Sequence, residues 1–273
     1  MLSINSNSLA YGIARSLNET SSNLQETANR ISTGKRILTA KDDPAGLGIL
    51  SNMKSQYASY NAVNKNLSAG QSLLDTASTS LMNQQDILNK MKDTATQAAS
   101  DLLSADQRTA LQSTFAELQK QLDDTVNKAT IFGQNLTGAS AANVNIQSGI
   151  NAGNTTTINA VKSDGVTLGV DAATVDLTTS AGAALAMTAI DTAVGTVSNN
   201  LATLGAQSNG LDSVMATTKS VQGNLEKSMS SIEDIDVAAE SSKLALLQTK
   251  QQLGIAMLSI VNQLPASALS LLR

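Results

Sequence analysis

The 273-residue sequence contains no cysteine, no histidine and no tryptophan. Without cysteine and histidine the chain forms no disulfide and no thiolate or imidazole metal site, and it lacks the usual nucleophile and base of many enzymes. Aromatic residues make up 2% of the chain, which leaves few rigid side chains to stack on bases or sugars. We therefore expect no metal, no cofactor and no catalytic site.

The charge balance and the short apolar runs further restrict the classes of partner that we expect for this protein. Eighteen basic and 22 acidic residues, with a pI near 4.8, give no basic field of the kind that dominates nucleic-acid binding. No uninterrupted apolar run reaches the roughly 18 residues that span a bilayer. The opening residues, MLSINSNSLAYGIARSL, lack the regions of a secretory signal. We expect no nucleic-acid partner, no membrane insertion and, for an extracellular protein, export without a cleaved signal peptide.

Apolar residues recur at helical spacing over most of the chain. The strongest pattern is a seven-residue repeat, typical of a coiled-coil seam: Tyr60, Leu67, Leu74, Leu81, Leu88 and Ala95. A second helix is predicted after a capping box at Ser104 and Gln107, runs to about Ala129, and should fold back onto the first. A third, from about Ala183, has the same period at Ile190, Val197, Leu204, Leu211, Leu225 and Ile232.

Segments of about 40 residues at both ends carry narrower apolar rows. The first row consists of Leu9, Ile13, Leu17, Leu24 and Ile31. In the second, Leu246, Leu253 and Ile260 repeat by seven beside Met257, Leu264 and Leu271. A single helix cannot bury such a row, so we expect the two end segments to pair with each other through these rows.

The stretch RISTGKRILTAKDDPAG, residues 30–46, separates the first helix from the next. Gly34 suits the left-handed residue that ends a helix, and Asp43 suits an N-cap with Pro44 at the first helical position. A P-loop needs a second glycine and a preceding strand, and both are missing here. The adjacent carboxylates Asp42 and Asp43 lack a pocket that would separate their pKa values, so we interpret them as caps rather than catalytic groups.

Between about Ile131 and Ser180 the sequence becomes rich in Gly, Asn and Thr, with short apolar alternations. This composition and alternation predict strands that form about two hairpins in all, with SDGV at 163–166 as one turn. The predicted fold class is therefore mainly α. Long heptad-patterned helices pack as a coiled-coil bundle around a small β-hairpin region at about 131–182, and the N- and C-terminal segments pair to form discontinuous domains.

Two longer stretches resemble signatures of one family. RISTGKRILTAKDDPAGLGI at 30–49 is similar to the N-terminal signature of bacterial flagellin, and LQTKQQLGIAMLSIVNQLPASALSLLR at 247–273 is similar to its C-terminal one. The resemblance covers roughly residues 3–135 and 185–273. It implies a non-enzymatic structural protein that self-assembles into the flagellar filament for motility, in a short form without large outer domains.

The resemblance also implies a domain organisation and a set of partners. Residues 1–44 and 233–273 would form the axial core, disordered in the monomer, and residues 45–232 a helical inner domain around it. The family implies passage through the flagellar type III export apparatus with an export chaperone. It further implies assembly beneath a filament cap, beyond hook-junction proteins, in an extracellular filament.

Three groups of residues are candidates for contacts by the same resemblance. The terminal helices would supply the assembly interface: Leu17, Leu24, Ile31, Leu246, Leu253, Met257, Ile260, Leu264 and Leu271. The charged connector residues would be either intersubunit polar contacts or a solvated loop: Lys35, Arg36, Lys41, Asp42 and Asp43. The patch that an innate immune receptor binds in many flagellins maps to LNKMKDTATQAA at 88–99, with Leu88, Lys90, Lys92 and Asp93 as the candidate residues. Lys90 and Lys92 match the family's cationic positions, whereas Asp93 stands where Glu is usual and Thr94 where Leu is usual.

Two alternatives remain open at this point. A hook-filament junction protein shares the terminal pattern, although the final residues LSLLR favour the filament subunit. A cell-surface adhesin or polysaccharide-binding protein on a flagellin scaffold is the other, and the scarcity of aromatic residues argues against it.

Overall fold

The computed structural model describes residues 8–171 and 174–270, with the backbone alone for 264–270. Within these residues there are six helices and one two-stranded sheet. In chain order they are α1 (Ser8–Thr33), α2 (Pro44–Ala98), α3 (Ala105–Asn127), β1 (Val144–Gln147), β2 (Thr155–Ile158), α4 (Gly165–Leu168), α5 (Ser180–Glu233) and α6 (Val237–Ser270). The predicted fold class, mainly α with a small hairpin region, is confirmed.

The chain divides into two compact units. One consists of Met1–Ser55 with Asn224–Arg273, and the other of Gln56–Gly223. This division falls inside α2 and α5, whereas the predicted domain boundaries fall at 44/45 and 232/233. Those boundaries concern the division of roles in an assembly, and they stay a prediction.

The core of the 56–223 unit is built from the heptad rows of α2 and α5. On α2, every member of the row from Leu67 to Ala95 is at most 1% exposed. On α5 the buried row contains Ile190, Val197, Leu204 and Leu211. Thr218 continues this row and is also buried. Its hydroxyl is satisfied there, because it donates to the Val214 carbonyl of its own helix at 2.9 Å. The predicted seams are therefore confirmed as core from Leu67 to Ala95 and from Ile190 to Leu211, whereas Tyr60, Leu225 and Ile232 are only half-buried.

Helix α3 begins at the predicted capping box. The Ser104 hydroxyl accepts from the Gln107 N–H, and the Gln107 side chain accepts from the Ser104 N–H at 2.9 Å. Phe115 and Leu122 are fully buried in the same cluster as the α2 row, and the Ser80 hydroxyl donates to the Thr125 carbonyl at 3.0 Å. The expected return of α3 onto α2 is confirmed.

The central segment forms one hairpin within the described residues, not the expected two. β1 and β2 pair antiparallel with Val144 opposite Ile158. SDGV is not a hairpin turn, because the Asp164 carboxylate accepts from the backbone and hydroxyl of Thr167 and thereby caps α4. An aspartate followed by glycine suits either structure, so the local sequence alone could not separate them.

One stretch of 18 residues in α5 reaches a mean hydropathy of 1.2, enough by length and composition for a membrane-crossing helix. The helix lacks an uninterrupted apolar run, but alanine, valine, leucine and methionine are spread along it among glycine and threonine. A helix that supplies a protein core meets the same criterion, and the row at Ile190, Val197 and Leu204 is buried in this way.

Candidate assembly surface

Helices α1 and α6 pack against each other along their length. Their antiparallel direction follows from two contacts, because Gly254 lies against Leu17 while the Ile235 N–H donates to the Gly34 carbonyl at 3.2 Å. The inward positions alternate by three and four residues, as in a coiled coil. On α1 they are Ile13, Leu17, Thr20, Leu24, Thr27 and Ile31, and on α6 Leu244, Leu247, Gln251, Gly254, Leu258 and Val261. The predicted pairing of the two ends is confirmed.

The apolar row predicted for α6 is not the one that meets α1. Leu246, Leu253 and Ile260 each precede a seam residue by one position, and together with Met257 they are 54–61% exposed. We call these four residues the outer row of α6. The residues that meet α1 are instead Leu247, Gly254 and Val261, which also recur every seven positions. The predicted role of the outer row in an assembly interface stays a prediction. Leu264 lies in the backbone-only part of α6, and Leu271 lies outside the described residues.

A groove runs beside the α1–α6 seam and joins the outer row. Ile13 and Leu17 of α1 form one wall, and Leu253 and Met257 form the other. Gly254 leaves the groove open, since a methyl group there would lie 3.1 Å from Leu17 Cδ1. The α1–α6 pair therefore presents the exposed apolar outer row beside a groove of mixed polarity, which Glu19 and Lys250 also line.

The connector between α1 and α2 follows the predicted local structure. Gly34 has a φ of +71°, in the left-handed region, and α2 begins at Pro44 with the Asp43 carboxylate accepting from the Gly46 N–H at 2.8 Å. Asp42 Oδ2 accepts from the backbone N–H groups of Thr39 at 2.8 Å and Leu38 at 3.0 Å. These donors lower the pKa of the Asp42 carboxyl.

Glu233, the last residue of α5, joins the connector to both long helices. Its carboxylate is largely buried and forms ion pairs with Lys35 Nζ at 2.6 Å and Lys54 Nζ at 3.0 Å. Burial acts against the charged carboxylate, but the hydrogen bonds from the two lysines outweigh it and lower the pKa of Glu233. The hydrogen bond and the charge of Glu233 raise the pKa of Lys35.

Arg36 completes this joint at the carboxyl end of α5. Its guanidinium Nη2 donates to the Ile232 carbonyl at 2.9 Å, and its backbone N–H donates to the Glu233 carbonyl. The last carbonyls of a helix have no partner within the helix and carry partial negative charge, so a cation there is favourable.

Four of the five predicted connector contacts thus act within the chain. Lys35, Arg36 and Asp42 make the contacts above, and Asp43 is the N-cap of α2. Lys41 is exposed and makes none of them. Contacts of these residues with a neighbouring subunit stay a prediction. Sequence reasoning missed Lys54, because nothing local relates it to a carboxylate 179 positions away.

Comparison with known proteins identifies the family of this chain. The family described as the bacterial flagellin N-terminal helical region matches residues 4–142, and the bacterial flagellin C-terminal helical region matches residues 187–272. The chain belongs to the bacterial flagellin family. This flagellin is 37% identical to Flagellin FljK of Caulobacter vibrioides over 271 residues, which cover 99% of this chain and 98% of that one. It is 31% identical to the flagellin of Brucella melitensis over the full length of both.

Two solved structures resemble this flagellin. The crystal structure of Bacillus cereus flagellin matches with a TM-score of 0.50 and 28% identity, covering 56% of this chain and 88% of that one. A putative flagellar hook-associated protein from Vibrio parahaemolyticus matches with a TM-score of 0.59, covering 71% of this chain and 100% of that one. At 15% identity the second likeness shows the fold alone.

The family establishes the function in outline. This flagellin is a structural subunit that polymerises with itself into the extracellular flagellar filament and serves motility. The junction-protein and adhesin alternatives are not favoured, because both terminal regions match flagellin and the named relatives match over nearly their whole length.

The segment predicted as an immune-receptor patch is only partly at the surface. Leu88 is fully buried in the core of the 56–223 unit, and Lys92 is paired with the Asp191 carboxylate. Lys90 and Asp93 are exposed. Recognition by an immune receptor stays a prediction, and it would use the charged residues without the Leu88 side chain.

Proposed function

We propose that this flagellin assembles through its α1–α6 pair, and that neighbouring copies bury the outer row of α6. The observation that carries the proposal is the exposure of all four outer-row side chains on a helix whose adjacent face is already paired with α1. Large contiguous apolar patches on a protein surface mark interaction sites.

The energy available from this row is substantial. Burial of one large aliphatic side chain contributes about 1.5–3 kcal/mol, and the outer row offers Leu246, Leu253, Met257 and Ile260. A homopolymer repeats the same contact at every subunit, so each added copy gains this free energy. The groove beside Gly254 extends the surface onto α1 and gives a neighbouring side chain a place to enter.

The same observations support the proposed division of roles. Residues 1–44 with 233–273 would line the filament interior, and residues 45–232 would form the layer around them. Two paired helices bury few side chains completely, and Thr27, Leu247 and Val261 are the described examples along this seam. A helix pair with so little buried area depends on tertiary partners, so the ends would gain helical order on assembly.

Export and its partners belong to the same proposal. An unfolded chain would pass through the type III apparatus without a cleaved signal peptide, and a chaperone would hold the C-terminal segment until the chain reaches the filament cap. The chain has no cysteine, so no disulfide opposes unfolding. The outer row of α6 gives such a chaperone an apolar surface to cover.

The charge-insertion variant Leu253→Asp tests the assembly surface. Seeded growth of purified subunits is followed by pelleting and electron microscopy, with the monomer checked by circular dichroism. An unpaired charge at a buried helix contact costs several kcal/mol, so we expect the concentration needed for growth to rise more than tenfold. The matched control is Gln252→Asp, at the next position of α6 but outside the outer row, and it should grow normally.

The shortened chain of residues 45–232 tests the division of roles. It should fold but form no filaments, and the full-length monomer should show less helix by circular dichroism than the full-length filament. Normal growth of Leu253→Asp would remove the outer row from the interface. Filaments from the shortened chain would show that the terminal helices are dispensable.

A further inference from the structure

The methionines of this flagellin differ widely in exposure. The chain contains eight, and among those whose side chains the structure describes, Met82 is 52% exposed and Met257 is 55% exposed. Met91 is fully buried in the core, and the others are half-buried: Met53, Met187, Met215 and Met229. Met82 lies on α2 and Met257 in the outer row of α6, so an oxidant in solvent reaches these two sulfur atoms most easily.

Thioethers are the most readily oxidised groups of this chain, because it contains no cysteine and no tryptophan. Hydrogen peroxide converts a methionine to its sulfoxide in a two-electron step. The O–O bond breaks, one oxygen forms a bond to the sulfur, which loses two electrons, and the other oxygen leaves as water. Sulfoxide reductases reverse the step with two thiols, which become a disulfide while the oxygen leaves as water. Oxidation thus turns a flexible apolar side chain into a polar one.

Met257 has apolar neighbours on its own helix. Residues three and four positions apart share a helix face, and at these separations from Met257 there is no side-chain hydrogen-bond donor: Leu253, Gly254, Ile260 and Val261. Across the groove, the wall that contains Ile13 and Leu17 lies opposite Met257. A sulfoxide oxygen formed here keeps its hydrogen bonds to water as long as the outer row stays in solvent.

Met82 has the opposite surroundings at nearly the same exposure. Its neighbours three and four positions away carry hydroxyl, amide or carboxylate groups: Ser78, Thr79, Gln85 and Asp86. This face of α2 is polar already, so a sulfoxide at position 82 leaves the character of the surface unchanged.

The difference between the two methionines matters when a second copy covers the outer row. Burial of a polar group without a hydrogen-bond partner is unfavourable, and the helix neighbours of Met257 supply no partner. Oxidation also weakens the apolar contact that the side chain itself would make. Both effects act against the addition of a subunit. Neither unfolds the monomer, because Met257 is exposed there.

From these observations we propose that Met257 is a redox modification site that controls assembly. Oxidation by a peroxide in the free subunit stops that subunit from joining a filament, and reduction of the sulfoxide restores its capacity to join. Once a subunit is incorporated, its neighbour shields the sulfur atom. The inference rests on the assembly surface proposed above and adds a means of regulating it.

Mild peroxide treatment of the monomer tests the site. The purified full-length chain is oxidised with hydrogen peroxide until peptide mass spectrometry shows that Met82 and Met257 are both modified, and catalase then removes the peroxide. We expect the concentration needed for seeded growth to rise about tenfold, with the circular dichroism of the monomer unchanged. Methionine sulfoxide reductases with dithiothreitol should return this concentration to the untreated value.

Two leucine variants separate the contributions of the two exposed methionines. Leucine is close to methionine in volume and has no sulfur to oxidise. Met257→Leu should grow normally both before and after peroxide treatment. Met82→Leu is the matched control, and on oxidation it should lose growth as the wild type does.

Oxidation of finished filaments gives a measurement that does not depend on growth. We expect Met257 to react at least about tenfold more slowly in filaments than in the monomer, because a covered sulfur atom meets the peroxide only when the contact opens.

The outcomes separate this inference from the assembly on which it rests. Subunits that carry the sulfoxide at Met257 and still grow normally would overturn the inference. An equal loss of growth in oxidised Met257→Leu would also overturn it, because another residue would then be responsible. In both cases, slow oxidation of Met257 in filaments would leave the proposed assembly surface in place. If Met257 instead reacts as fast in filaments as in monomers, the outer row is not covered and the proposed assembly surface is itself refuted.

Discussion

Two regions of this flagellin use the same seven-residue period and bury it to very different degrees. In the 56–223 unit the row from Leu67 to Ala95 is almost completely enclosed. Along α6 the outer row repeats just as regularly, yet Leu253 is 59% exposed. The period therefore reports that a helix has an apolar face, but it does not report whether the partner of that face lies in the same chain.

The difference separates what one chain can stabilise from what requires a neighbour. The 56–223 unit encloses its own core, including Phe115 and Leu122 from α3. The α1–α6 pair covers one face of each helix and leaves the outer row in water. Monomer stability and assembly should therefore respond to different substitutions.

The largest expected effect is on the enclosed row. Leu74→Ala removes a side chain that is 1% exposed, and a cavity in such a core costs about 2–5 kcal/mol. We expect the free energy of unfolding of the monomer in urea to fall by this amount. Leu253→Ala is the matched change on the exposed row and should alter monomer stability by less than about 0.5 kcal/mol. Equal losses of unfolding free energy in the two variants would contradict the difference in burial between the α2 row and the outer row.

A smaller effect is expected at the Glu233 joint, and it depends on pH. The pKa of Glu233 is lowered below its ordinary 4.5, so its contribution is fully present above pH 4.5 and is lost as the pH falls through the folded-state pKa. Glu233→Gln should lower stability by about 1 kcal/mol near neutral pH and flatten the acid limb of the stability curve. The pKa of Lys35 is raised above 10.5, so its contribution is lost only as the pH rises beyond that value.

Thermal unfolding by circular dichroism from pH 3 to pH 7 checks this expectation. Glu226→Gln, on the same helix outside the joint, is the control. If Glu233→Gln retained the full acid slope of the wild type, the slope would arise elsewhere.

The smallest expected effect is a gain in the α1–α6 pair. Gly12 lies in α1 with nothing within 4 Å of the position that a methyl group would occupy. Gly12→Ala should stabilise α1 by about 0.5–1 kcal/mol through helix propensity, seen as more helix in the monomer by circular dichroism. Gly254→Ala should gain less, because its methyl group would lie 3.1 Å from Leu17 Cδ1. No response to Gly12→Ala would mean that α1 is already fully formed in the monomer.

The parts of this fold that sequence could predict are those with local causes. The α2 row, the Ser104–Gln107 capping box, the left-handed Gly34 and the Asp43 N-cap were all predicted, and the structure confirms each of them. Each depends on residues within one or two helical turns of one another, so the chain's local pattern contains the necessary information.

The parts of the fold that could not be predicted depend on residues far apart in sequence or on patterns that fit two structures equally well. On α6, the rows through Leu246 and Leu247 have the same period, and only the position of α1 selects between them. Phe132 has a φ of +52° in the turn between Ile131 and Gln134. Turns of this kind favour Asn or Gly at that position, so the sequence pattern did not predict the turn. The Lys54–Glu233 pair joins two helices far apart in sequence. Tertiary packing decides all three.

The Glu233 joint also has a consequence for the order of events in folding. Lys35 and Lys54 precede their shared carboxylate by most of the length of the chain. Closing so long a loop costs entropy until the residues between its ends become compact, so we expect this contact to form late. The joint can therefore form only in a chain that extends to Glu233. A chain interrupted anywhere before Glu233 leaves both lysines without their partner, while the connector and the N-terminal part of α2 are already made.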